Sequence, residues 1–389
     1  MANPLRIAVI TGSRAEYGLL KPTLRRLVDD GETELQLVVT GSHLSPYHGM
    51  TKREIEADGF PIAEQVELLQ ASETSVGTAK AVGLGVISFA ESLQRIRPDR
   101  VLLLGDRFEI LAAAQAAFFL GIPVAHLHGG EVTTGAFDDG IRHAVTKLSH
   151  LHLVAAERYA QRVRQLGEDP SRVVLVGAPA LETIGEEAMA SEDCLRKHCD
   201  LSLEGLVLLV TYHPETLGEV NPVQAQGEML AALERFPEAQ VVFTEPNADP
   251  GGAPLLPPLR SFVEVHKERC RLFSSLGQAR YLRLLQMASV VLGNSSSGII
   301  EAPSLGTPTV NIGGRQEGRL RAPSVLDCDP TRESVEAALR TALGADFQKE
   351  AAKKVSPYAG GEVSERIVRA LKEIPLDRRK PFFDLPVSP

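Results

Sequence analysis

The sequence has no uninterrupted apolar run of membrane length, no excess of positive charge and no cysteines spaced to hold a metal. Its longest apolar stretches, such as Ile110–Leu120, fall short of the ~20 residues a spanning helix needs, so no membrane partner is expected. With 41 Lys and Arg against 50 Asp and Glu, the formal net charge is −9. Nucleic acid, which calls for a basic face, is not an expected partner. Cys194, Cys199, Cys270 and Cys328 lack C-x-x-C spacing and read as plain thiols of a reducing cytosol. No basic-then-apolar leader opens the chain, so the expected location is cytoplasmic. Also missing are a G-x-G-x-x-G fingerprint with its downstream acid and a P-loop lysine, since Lys21 lies within a helical stretch. Hydride transfer is therefore not the chemistry, and no cofactor or metal is expected.

What is present is alternation. The 389 residues are too many for one ordinary core and suggest two domains. Apolar, β-branched segments at 5–10, 34–40, 100–105, 123–129, 150–156 and 171–176 are separated by amphipathic helical patterns. After a charged helical stretch at 180–205 the alternation resumes, with strands predicted at 206–212, 240–246, 270–276, 289–294 and 308–313. Continuous apolar strands between helices mean parallel sheets covered on both faces. The expected class is α/β, with two Rossmann-like doubly wound domains facing a central cleft. The first spans 1–178 and is rejoined by a C-terminal helix at 362–389; the second spans 179–361. Ligands of open α/β sheets sit beyond the carboxyl ends of the strands.

The residues that follow the strands are polar. They include Thr11-Gly12-Ser13-Arg14, Thr40-Gly41-Ser42-His43, Gly105-Asp106-Arg107 and His126-Leu127-His128-Gly129-Gly130-Glu131, then Asp138, Asp139, Arg142 and His143. In the second half His213, Asn247, the GNSSSG run at 293–298, Glu301 and Arg315 take the same place. The first strand–turn–helix suggests a phosphate site, because a helix start offers unpaired N–H groups. Each residue also has a plainer use. Arg14 could meet a carboxylate, Asp106 could cap the helix after it, and the serines at 295–297 could be N-caps. The pairs His126/His128 and His150/His152 each put two histidines on one strand face, yet no carboxylate or cysteine stands at reliable ligand spacing. Arginines and serine-rich helix starts suit a diphosphate, and facing acids and histidines suit proton transfer on an attached sugar.

These motifs meet a known family. TGSRAEYGLLKP (11–22), TGSHLSPYHG (40–49), GDRFEILAAA (105–114), HLHGGEVTTGAFDDGIRHAVTKLSHLH (126–152), HPET (213–216) and GNSSSGIIEAPSLGTPTVNIGGRQEGR (293–319) run in order along nearly the whole chain. The chain resembles the UDP-N-acetylglucosamine 2-epimerases, in particular the hydrolysing branch that supplies sialic-acid-type sugars. The resemblance implies a glycosyltransferase-B-like fold, a UDP-sugar substrate and a homodimer or homotetramer. It implies anti elimination of UDP to a 2-acetamidoglucal, then hydration to the free 2-epimer.

By the same resemblance, Arg14, His213, Asn247, Ser295, Ser296, Glu301 and Arg315 hold UDP, with Glu301 on the ribose hydroxyls. Asp106 and Asp138 are the catalytic acids, and Arg107 and His43 orient them and the acetamido arm. The family's H-x-E-G-G-E segment is His126-Leu127-His128-Gly129-Gly130-Glu131 here, so His128 or Glu131 replaces the missing acid. The expected substrate is UDP-N-acetylglucosamine, giving N-acetylmannosamine. The alternative is UDP-2,4-diacetamido-2,4,6-trideoxyglucose, and a glycosyltransferase on the same fold is the reading of a different class.

Overall fold

The computed structural model describes the chain except residues 1–2, 47–48, 69–73, 134–136, 187–188, 216–219, 247–251, 359, 376 and 386–389. It divides into two compact units. The first comprises 1–131, 138–183 and 358–389, and the second 132–137 and 184–357.

The first unit is built on seven parallel strands: β1 (Leu5–Thr11), β2 (Thr33–Thr40), β3 (Ile62–Val66), β4 (Arg100–Leu104), β5 (Val124–Leu127), β6 (Leu151–Val154) and β7 (Val173–Leu175). Their order is β3-β2-β1-β4-β5-β6-β7, doubly wound from β1. Ile7 to Ile10 are wholly buried, as a strand covered on both faces requires. One core cluster packs β1, β2 and β4 against the helix Arg14–Asp29 through Leu20, Leu24 and Leu27. The other packs the opposite face against the helices Ser75–Ile96 and Phe108–Phe119 through Phe89, Leu93 and Ile110. The helix Val363–Glu373 returns to the first cluster with Ile367 and Leu371, and Ser364 bonds the buried Glu182.

The second unit has six parallel strands, β8 (Val207–Thr211), β9 (Gln240–Thr244), β10 (Cys270–Phe273), β11 (Val290–Gly293), β12 (Thr309–Ile312) and β13 (Val325–Cys328), in the order β10-β9-β8-β11-β12-β13. β3 and β13 were not legible in the sequence. Both are edge strands; β3 alternates half-buried and exposed residues up to the buried Val66, and β13 is only partly covered.

The helix Ser75–Ile96 is, by length and composition, long and apolar enough to cross a membrane. Its apolar residues are interrupted by Lys80, Glu91 and Arg95, so no uninterrupted run revealed it. Gly77, Ala81, Gly85, Phe89 and Leu93 form its buried face.

Candidate active site

The first unit gathers its acids at the carboxyl ends of β4 and β5. Asp106 follows β4, and His128 to Glu131 follow β5. Between them reaches Arg142 from the helix Phe137–Leu148, its side chain only 2% exposed. One guanidinium nitrogen binds the Asp106 carboxylate and the other lies 3.3 Å from Glu131 Oε2. The second Glu131 oxygen accepts from Nδ1 of His128. A carboxylate accepts from an N–H, so Nδ1 is the donor nitrogen of this bond and Nε2 points away from it. Among the described residues Nε2, although buried, has no hydrogen-bond partner. His128 has a left-handed backbone, φ 65°, a conformation costing an ordinary residue roughly 1–2 kcal/mol.

Two buried neighbours fix this turn. His126 Nε2 donates to Gly105 O at 2.7 Å, and Nδ1 meets Thr146 Oγ1 at 3.2 Å. Burial pushes His126 down to about 3, so it is a neutral strut. The plain reading of Asp106 as a helix cap does not hold. The N-cap position of the helix Phe108–Phe119 is Arg107, with no side-chain cap bond, and Asp106 turns to Arg142. Asp138 lies half-buried four residues before Arg142, on the same face of its helix. Arg107 binds Glu109, wholly buried, at 3.3 Å.

Two expected roles change. His43 is wholly buried, with Nε2 on Thr11 at 3.1 Å and Nδ1 on Thr51 at 2.8 Å. Burial pushes it down to about 4; with both nitrogens engaged it braces the turns after β1 and β2 rather than orienting an acetamido arm. The turn after β1 is no open phosphate site either. Ser13 and Glu16 form a capping box, and Glu16 Oε2 takes the N–H groups of Gly12 at 2.6 Å and Ser13 at 3.1 Å. The chain's own carboxylate fills the anion's place. Arg14, beside it, lies 3.1 Å from Glu54.

The second unit assembles a different set. Gly293 closes β11 with φ 132°, where any Cβ would stand 1.9 Å from Thr211 O, so only glycine permits the turn. Asn294 then exchanges two hydrogen bonds with the backbone of His213, at 2.7 and 2.9 Å. Arg315 donates to Asn294 O at 3.1 Å, so His213, Asn294 and Arg315 are one cluster. Burial, with Arg315 nearby, pushes His213 down to about 3. Ser295 caps the helix Ser296–Leu305, and Ser296 is its half-buried first residue. Glu301 lies further along that helix, and burial pushes its carboxyl up to about 7 against the pull of Ser297. Asn247 lies outside the described residues.

Sequence reasoning missed three residues. Glu215 accepts from the N–H groups of Gly314 at 3.0 Å and Arg315 at 3.2 Å, and Tyr281 is raised by burial and by Glu301. Arg142 stood among the polar strand-end residues without a role of its own. An arginine on the apolar-facing side of an amphipathic helix was its available signal. No group of three or more metal-type ligands occurs among the described residues.

Two doubly wound parallel sheets, each with polar and charged residues beyond its carboxyl ends, give the chain a glycosyltransferase-B-like fold. Residues 25–372 match the family described as UDP-N-acetylglucosamine 2-epimerase, and the chain belongs to that family. It is 38% identical over 371 residues, 95% of this chain and 96% of the relative, to the UDP-N,N'-diacetylbacillosamine 2-epimerase (hydrolyzing) of Legionella pneumophila. It is 37% identical over 324 residues, 83% of this chain and 84% of the relative, to the GDP/UDP-N,N'-diacetylbacillosamine 2-epimerase (hydrolyzing) of Campylobacter jejuni. A solved structure of the Neisseria meningitidis UDP-GlcNAc 2-epimerase bound to UDP-GlcNAc matches with a TM-score of 0.80. It covers 94% of this chain and 99% of that one at 18% identity, a likeness of fold. The chain is an enzyme of the hydrolysing 2-epimerase class. These relatives favour the diacetamido alternative over the UDP-N-acetylglucosamine reading.

Proposed function

We propose that this enzyme converts UDP-2,4-diacetamido-2,4,6-trideoxyglucose and water to UDP and the free 2-epimeric sugar. Two relatives at 37% and 38% identity support the sugar, since both are named for diacetylbacillosamine. The observation that carries the chemistry is the chain Asp106–Arg142–Glu131–His128, in which the second imidazole nitrogen, Nε2, is buried and has no hydrogen-bond partner among the described residues.

The C2 hydrogen is not acidified by a carbonyl, so UDP departure leads and positive charge builds on the ring. Asp106, with Asp138, stabilises that charge and takes the C2 proton, leaving a 2-acetamidoglucal. A proton then reaches C2 from the opposite face, water adds at C1 and loses its own proton. His128 suits this second exchange: as an imidazolium it is stabilised by Glu131, and as a neutral ring it accepts from the water. Glu131, 1% exposed and engaged at both oxygens, orients the ring. In the second unit, His213, Ser295, Ser296 and Arg315 receive the diphosphate and Glu301 the ribose hydroxyls. Arg14 and Asn247 complete the nucleotide contacts. The assembly is a homodimer or homotetramer, and light scattering that finds only a species of 42.0 kDa would sink that part.

The test is UDP release, measured without acceptor, from the diacetamido substrate and from UDP-N-acetylglucosamine. Preference for the first supports the reading, and preference for the second returns it to the N-acetylmannosamine route. A requirement for an acceptor would make the protein a glycosyltransferase.

A further inference from the structure

Arg142 can join Asp106 to Glu131 only while the helix Phe137–Leu148 keeps its register, and the far end of that helix is held by the C-terminal tail. Lys380 Nζ donates to the carbonyls of Thr146, at 3.1 Å, and Lys147, at 2.5 Å, in the last turn. A cation there meets the negative end of the helix dipole. The same ammonium pairs with Glu168 at 2.8 Å. Glu168 is 3% exposed and also takes Lys147 Nζ at 2.6 Å and His152 Nε2 at 2.8 Å. Two residues on, the Phe382 ring lies 2.2 Å from where a Cβ at Gly167 would stand, so only glycine lets the tail settle. Phe383 N–H then donates to Gly167 O at 2.9 Å, and the Phe382 ring packs 5.1 Å from Lys147 Nζ.

The fastening leads to the acid network by a second path. Thr146, whose carbonyl Lys380 holds, meets His126 through its hydroxyl; His126 holds Gly105 O; and Gly105 precedes Asp106. Buried ion pairs add little net stability, because desolvation offsets attraction, and their best-attested use is to fix register.

We propose that residues 378–383 clamp the helix Phe137–Leu148 and that Lys380 is a positioning residue for the Asp106–Arg142–Glu131 network. The inference rests on the reading of that network given above. Lys380→Met keeps the aliphatic stem and removes the donors, Lys380→Arg keeps a cation, and deletion of 378–389 removes the clamp. Lys380→Met and the deletion should lower kcat about tenfold or more, since small misplacements of catalytic groups are costly in rate. KM and the calorimetric affinity for UDP should stay as in the intact protein. Amide hydrogen exchange over 137–148 should quicken in both, and Lys380→Arg should restore rate and protection together. Unchanged kcat in either variant overturns the proposal, as does a kcat loss matched by an equal loss of UDP affinity. If the deletion does not fold, Lys380→Met carries the test alone. If the intact enzyme releases no UDP from either nucleotide sugar, the reading of the network fails instead. Exchange over 137–148 then still decides the clamp.

Discussion

Glu131 accepts a hydrogen bond from Nδ1 of His128, while Nε2 of the same ring is buried and without a hydrogen-bond partner among the described residues. On the proposed mechanism the labour divides between these two residues, which sequence could not separate. His128→Gln should cost on the order of 10²–10⁴ in kcat, the usual weight of a proton-transfer group. Glu131→Gln should keep part of the rate. A Glu131→Gln enzyme that is dead, beside an active His128→Gln enzyme, would reverse the assignment.

Asp106 faces Arg142 and does not cap a helix. Asp106→Asn should therefore leave the fold intact and lower kcat on the order of 10²–10⁴. A stability loss of about 1 kcal/mol with turnover within about tenfold would be the signature of a cap. Circular dichroism and a steady-state assay on one preparation distinguish the outcomes.

The sheets were legible because buried parallel strands are apolar throughout, whereas β3 and β13 border the sheets and mix in polar residues. The strand-end acids were legible from their position. The turn after β1 misled, because strand–glycine–helix does not reveal what already occupies the helix start. Ser13-Arg14-Ala15-Glu16 is nonetheless a capping-box pattern, with Glu three residues after Ser, and read that way it announces its own anion. Arg142 escaped because burial of an arginine is set by its partners, Asp106 and Glu131, which are 36 and 11 residues away in the chain.

The capping carboxylate should also make stability depend on pH. Burial raises Glu16 to about 7, with Glu109 adding and Arg107 and the Gly12 and Ser13 N–H groups opposing. Between its ordinary value of 4.5 and about 7 the unfolded chain loses this proton while the folded one keeps it, so this contribution to stability falls as pH rises. His43 and His126, lowered to about 4 and about 3, act the other way below 6.5. There the unfolded chain gains protons that the folded one refuses, and stability falls on acidification. Glu16→Gln keeps an acceptor for the cap and removes the titration. The gain in stability from pH 5 to pH 8 should then exceed that of the unmodified protein by about 3 kcal/mol, at 1.36 kcal/mol per pKa unit. Urea unfolding at the two pH values measures it. A uniform loss at both would mean that Glu16 serves only as a cap.

Glu301 carries the corresponding prediction for the nucleotide. Burial holds its carboxyl near 7, so at pH 6 it is mostly protonated and at pH 8 mostly ionised. Ribose hydroxyls donate more strongly to the ionised form, because charge-assisted hydrogen bonds are the stronger ones. Affinity for a UDP-sugar should therefore rise between pH 6 and 8, with uptake of the ligand releasing a proton. UDP-glucose is the ligand of choice, since its diphosphate has no proton to lose in this range. Losing a hydrogen bond to a charged group costs about 1.5–3 kcal/mol. Glu301→Ala should accordingly weaken binding at pH 8 ten- to a hundredfold, as about 1.4 kcal/mol is a factor of ten. Glu301→Gln should flatten the pH dependence while retaining part of the affinity. Calorimetry in two buffers of different ionisation heat reads both affinity and proton release. Equal affinity in Glu301→Ala, or an unchanged slope in Glu301→Gln, would remove Glu301 from the nucleotide site.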